Sequence, residues 1–123
     1  MSSRKIESEI TLEAILEGIQ RIKGKNIKII DLNTIKHTEC GYFVICHGTS
    51  STQVNALAHS VEDTVKEITG INAWHRDGYK NAIWILLDYG DIMVHVFQES
   101  ARDFYNLEGL WADAKIRNVE ESN

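Results

Sequence analysis

The sixteen residues Ala82 to Phe97, Ala-Ile-Trp-Ile-Leu-Leu-Asp-Tyr-Gly-Asp-Ile-Met-Val-His-Val-Phe, constrain the fold more than any other stretch of the chain. Two runs rich in β-branched and large apolar residues, Ile83–Leu87 and Ile92–Phe97, flank the polar break Asp88-Tyr89-Gly90-Asp91. Gly90 supplies the positive φ that a tight reversal needs, so the pattern predicts a β-hairpin. Side chains alternate faces along a strand. Ile83, Ile85 and Leu87 are therefore expected on one face and Trp84, Leu86 and Asp88 on the other. Both faces are apolar over most of their length, which suits a central strand pair covered on both sides. At the turn end, Trp84, Asp88, Tyr89 and Asp91 are expected to form an aromatic and acidic edge.

Around this hairpin the chain reads as one domain of 123 residues, long enough to bury a core without staples. Residues 1–8 are read as a flexible N-terminus, 9–114 as the domain and 115–123 as a disordered polar tail. Leu12, Ile15, Leu16, Ile19 and Ile22 recur at helical spacing, with Ser8 as a cap and Gly24 as a stop. Ile27–Leu32 and Tyr42–Cys46 read as strands, joined by a loop over Thr34–Gly41. The clearest helix follows, with Val54, Leu57, Ala58, Val61, Val65 and Ile68 on one face. Ser50 and Gln53 form a capping box at its start, and Gly70 closes it. Ile71–His75 reads as a short strand, Arg76–Asn81 as a loop and Glu99–Tyr105 as a short helix. Leu107, Leu110 and Trp111 are expected to pack back onto the core. The order α-β-β-α-β-β-β-α predicts an α/β fold: a single mixed sheet of about five strands covered by helices.

Three motifs in order carry a family resemblance. They are the hairpin, the segment Tyr42-Phe43-Val44-Ile45-Cys46-His47-Gly48-Thr49-Ser50-Ser51, and the segment Arg102-Asp103-Phe104-Tyr105-Asn106-Leu107-Glu108-Gly109-Leu110-Trp111. Together they resemble the ribosomal silencing factor (Iojap-like) family, a resemblance that covers roughly Ile10 to Trp111. Two positions depart from its pattern: Gly41 stands where the family has an aspartate, and Asp77-Gly78 where it has Glu-Gly. The resemblance implies an α/β domain similar to the nucleotidyltransferase core. It also implies a homodimer that binds the large ribosomal subunit through the fourteenth large-subunit ribosomal protein. Occupying that face would block subunit joining and lower translation under nutrient shortage. Trp84 and the aspartate-rich turn are implied as the surface that meets the ribosome, with Asp77 extending it.

The residues themselves admit other chemistries. A net charge of −5 argues against broad binding of nucleic acid, which needs a basic surface, but suits docking on a basic protein. The apolar runs are too short to span a membrane and no signal-peptide pattern opens the chain. The two cysteines make no disulfide framework, so the expected address is cytoplasmic. Gly48-Thr49-Ser50-Ser51 would offer backbone N–H groups to a phosphate, yet no P-loop lysine accompanies it, and a capped helix is the simpler reading. Asp88 and Asp91 would hold Mg²⁺ if they converged across the turn. Together with Gly48–Ser51 they define the competing reading, a nucleotidyltransferase-like enzyme handling nucleotides or phosphate esters. Their spacing from the glycine-serine turn is wrong for that motif, and no enzymatic role or cofactor is expected. His37, Cys40, Cys46 and His47 invite zinc, but adjacent strand residues point to opposite faces, and Cys46 reads as a small core residue. His95 reads as a hydrogen-bonded histidine on the sheet. For Trp84 the interface reading is favoured over core packing; for Trp111 the order is reversed.

Overall fold

The computed structural model describes residues 3–35 and 40–121. Its elements are α1 (Ser3–Arg21), β1 (Lys25–Asp31), β2 (Tyr42–Gly48), α2 (Ser51–Thr69), β3 (His75–Asp77), β4 (Trp84–Asp88), β5 (Ile92–Gln98), α3 (Glu99–Tyr105), α4 (Leu107–Leu110) and β6 (Lys115–Val119). Six strands form one sheet in the order β3-β4-β5-β2-β1-β6. The β2–β5 pair is parallel and the other four pairs are antiparallel, so the α/β class and mixed sheet are as expected, with one strand more.

α2 forms where its apolar spacing and caps agree. Ser50 Oγ accepts the backbone N–H of Gln53 at 3.1 Å, and Gly70 closes the helix in the left-handed conformation, donating to Lys66 O. Val54, Leu57, Ala58, Val61 and Val65 are buried, whereas Ile68, in the last turn, is exposed. α2 packs against α1, whose Leu12, Ile15 and Ile19 join the same core. Beneath them lie Ile29, Val44, Cys46, Ile85, Leu87, Val94 and Val96, one face of the sheet. The opposite face has a smaller core of Ile30, Leu32, Ile45 and Phe97, under Ala101 of α3, Leu107 of α4 and Ala114. Two helices of 19 residues cover one side; helices of 7 and 4 residues cover the other.

Three boundaries differ from the sequence reading. α1 begins at Ser3, so Ser8 is inside the helix, and its hydroxyl donates to Asp91 Oδ2 at 2.7 Å. The third strand is displaced from Ile71–His75 to His75–Asp77, because His75 and Asp77 register against Asp88 and Leu86 of β4. The segment read as a disordered tail contains β6, paired with β1 from Ile27↔Val119 to Asp31↔Lys115. Its end is fastened by Asn26 N–H to Glu121 Oε2 (2.9 Å) and by Gln20 Nε2 to Glu120 O (3.0 Å). Pairing to a neighbour, not a hydrophobic pattern, makes this strand.

Candidate docking face

The hairpin is present as β4 and β5, in register Trp84↔Phe97, Leu86↔His95 and Asp88↔Met93. Its turn is held by Gly90 N–H to Asp88 Oδ1 (2.7 Å) and Tyr89 N–H to Ile92 O (2.9 Å), with Gly90 at φ 84°. Ile85 and Leu87 face the two long helices and are buried. Trp84, Leu86 and Asp88, on the side that only α3 and α4 cover, are half-buried.

Trp84 is built into an arc of rings on that side. It stacks on Phe97 (4.9 Å between centroids) and packs against Tyr105 (4.8 Å). Its indole N–H donates to His95 Nδ1 at 3.1 Å. An accepting Nδ1 puts the neutral imidazole's proton on Nε2, which is buried without a partner. Burial lowers the His95 pKa to about 4, so the ring stays neutral. Phe43 sits edge-on to His95 (4.7 Å) and to Trp111 (5.9 Å), while Phe104 sits edge-on to Tyr105 (5.2 Å). Trp84 is thus both supported from below and open above.

The four residues expected at the aromatic and acidic edge, and Asp77 expected to extend it, do not all lie on one face. Asp88 shares the face of Trp84, and Asp77 registers opposite Leu86 on the same side. Tyr89 packs instead on the helix-side core, where burial and then Glu62 raise its pKa. Asp91 points toward α1, accepting from Ser8 and lining a shallow groove with Glu7, Thr11 and Tyr89. Tyr89 continues the alternation of Ile85 and Leu87 onto the helix side, and the turn at Gly90 carries Asp91 toward α1. Asp88 and Asp91 consequently have different partners, the Gly90 N–H for Asp88 and the Ser8 hydroxyl for Asp91.

The sequence reading missed Phe104 and Leu110, which are 82% and 73% exposed. Leu110 was expected to pack back with Leu107 and Trp111; Leu107 is buried and Trp111 half-buried, but α4 is a single turn and Leu110 lies on its outer side. The corner between α3 and α4 bends at Asn106, a non-glycine residue at φ 46°. It is pinned by Arg102, 3% exposed, whose Nη1 donates to Asn26 O at 2.6 Å and whose Nε donates to Glu108 at 3.3 Å. The same Nη1 lies 3.0 Å from His47 Nδ1, and His47 Nε2 lies 3.4 Å from Glu99. Burial, then the Arg102 charge, lowers the His47 pKa. The visible signal for Phe104 and Leu110 was their acidic company, Asp103 and Glu108, in two very short helices.

The other sequence candidates have structural partners. At Gly48–Ser51 the Gln53 side chain turns back to accept from Thr49 N–H at 2.9 Å, so the helix start is closed by its own residues. Cys46 belongs to the helix-side core, its thiol pushed up to about 12 by burial, while His47 faces Arg102 on the opposite side. Cys40 Sγ donates to Tyr42 O at 3.1 Å, and His37 lies outside the described residues. A β-carbon at Gly41 would stand 2.8 Å from Asp91 Oδ1 and 2.9 Å from Asn33 Oδ1. An aspartate there would press one carboxylate on another unless Asp91 moved.

Comparison with known proteins agrees with this architecture. The family described as "Ribosomal silencing factor during starvation" matches residues 5–123. A ribosomal silencing factor of Halalkalibacterium halodurans is 46% identical over 109 residues, covering 89% of this chain and 92% of the relative. The one from Bacillus subtilis is 39% identical over 98 residues, covering 80% of this chain and 81% of the relative. A crystal structure from Chromobacterium violaceum superposes with a TM-score of 0.74 at 32% identity, covering 99% of this chain and 96% of that one. With the three sequence motifs in place on the expected α/β fold, the chain belongs to the ribosomal silencing factor family.

Proposed function

We propose that the protein binds the large ribosomal subunit through the fourteenth large-subunit ribosomal protein and sterically prevents the small subunit from joining, thereby repressing translation in the cytoplasm. The observation that carries this reading is the half-buried Trp84, stacked on Phe97 and hydrogen-bonded to His95, on the sheet face that the long helices leave uncovered. An aromatic held rigid from below loses little freedom on binding, which is how a few residues come to dominate an interface. Asp88 and Asp77 on the same face supply negative charge for steering toward a basic protein. The mechanism needs no catalysis: two bodies cannot occupy one surface. Tyr89 and Asp91 contribute by shaping the turn, from the other side of the sheet.

The nucleotide-handling alternative is disfavoured by the self-closed helix start at Ser50 and by the separate partners that already engage Asp88 and Asp91. A homodimer is part of the proposal, with neither of its surfaces assigned. Sedimentation with separated ribosomal subunits tests the reading. The protein should comigrate with large subunits and not with small ones; equal binding to both, or to neither, refutes it.

A further inference from the structure

Phe104 and Leu110 are exposed in a way that their surroundings do not explain by flexibility. The corner carrying them is tied to β1 and β2 by the buried Arg102, which reaches Asn26, His47 and Glu108 at once. Large apolar side chains held rigidly in water mark interaction surfaces when they are contiguous and rimmed by polar groups. Contiguity is given by the rings. Phe104 touches Tyr105 and Tyr105 touches Trp84 at the surface; Trp111, the chain neighbour of Leu110, is joined to them beneath it through Phe43 and the buried His95. The rim is acidic. Glu99, Asp103 and Asp113 are exposed, and Arg102, the one basic residue between Glu99 and Ala114, is buried.

We propose that Phe104 and Leu110 form a second apolar contact on the docking face, seated in a recess of the same basic ribosomal protein that Trp84 meets, with Asp103 and its acidic neighbours facing that partner's positive charge. This inference rests on the proposed function and extends it to a corner whose Leu110 the sequence pattern assigns to the core. The charge selects the occupant. RNA and anionic lipid would meet Glu99, Asp103 and Asp113 as like charges. A second copy docked corner to corner about a two-fold axis would set the acidic rim against itself. A basic protein surface satisfies both the apolar residues and the rim.

The test is co-pelleting of the full chain with purified large subunits, alongside thermal denaturation and sedimentation velocity of the protein alone. The double variant Phe104→Ser/Leu110→Ser should bind at least about tenfold more weakly, within the range of loss at a hot spot. Its melting temperature and mass should match the wild type. Ile10→Ser, an exposed apolar site on α1, is the control and should bind normally. Asp103→Lys, which leaves the apolar residues in place, should weaken binding most at low salt. Wild-type pelleting with an unaffected double variant overturns this inference and leaves the proposed function standing. Failure of the wild type to pellet overturns both. A change in mass with unchanged subunit binding makes the corner a self-association surface and also overturns it.

Discussion

The two faces of the sheet are finished differently. On one, α1 and α2 lay Leu12, Ile15, Ile19, Val54, Leu57 and Val61 over Ile85, Leu87, Val94 and Val96, and every one of these is at most 8% exposed. On the other, α3 and α4 cover only one end, and the uncovered part carries aromatic rings bonded to one another where aliphatic residues would need a lid. Leu, Ile and Val stabilise by disappearing from water; Trp, Tyr and His combine an apolar body with a polar handle and tolerate half-burial. The chain thus closes one face completely and leaves part of the other half-buried, the part that the proposed partner would complete.

That contrast is broken most forcefully from the folded side. Ile85→Ala removes a fully buried side chain and should destabilise by about 2–5 kcal/mol in chemical denaturation, whereas Leu86→Ala, one residue away and half-buried on the open face, should remove under about half of that. Equal losses would mean that both faces are equally essential to folding. On the binding side, Trp84→Ala should weaken large-subunit binding by about 2–4 kcal/mol. It should also lower stability by about 1–3 kcal/mol, because His95 Nδ1 loses its donor. Trp84→Phe keeps a ring and loses that donor, so it should retain more of the binding than of the stability.

Acid should act through the same face. Burial holds the folded-state pKa of His95 near 4, below the ordinary histidine value of 6.5. Between those values the unfolded chain takes up a proton that the folded one refuses, so stability falls as pH drops from about 6.5 to about 4, by up to about 3 kcal/mol. His47, lowered by burial and Arg102, acts in the same direction. Denaturation midpoints measured across that range should fall with acid, and His95→Gln should flatten the slope. The smallest effect concerns the helix side again: Ser50→Ala removes the N-cap of α2, costing about 1 kcal/mol, with binding unchanged once the protein is folded. Loss of binding without loss of stability would instead make Gly48–Ser51 a ligand site.

What could be read from the sequence follows the same division. The hairpin, α2 with its caps and the buried alternation of Ile85 and Leu87 were legible because periodicity and glycine signals are local. β6 was not: Lys-Ile-Arg-Asn-Val has no apolar stripe, and its strand state comes from pairing with β1, 84 to 92 residues earlier, from Asp31↔Lys115 to Ile27↔Val119. Trp84 and Asp88 were correctly placed on one face because they are four apart, an even number of positions, on one strand. Tyr89 was grouped with Trp84 although the period of two sets it with Ile85 and Leu87, while Asp91 lies in the turn, where that period lapses. Leu110 was expected inside because it is apolar, but how far a one-turn helix can bury its residues depends on the Asn106 bend and the Arg102 clamp, both set by tertiary contacts.

Subunit joining measured directly tests the central claim. Large subunits are incubated with the protein, small subunits are added, and the mixture is resolved on a sucrose gradient. The account predicts that the joined-ribosome peak shrinks as protein is added, that the protein migrates with the remaining large subunits, and that Trp84→Ala restores joining. A joined peak that stays at full height while the protein migrates with it would contradict the account, since binding would then leave the joining face unoccupied.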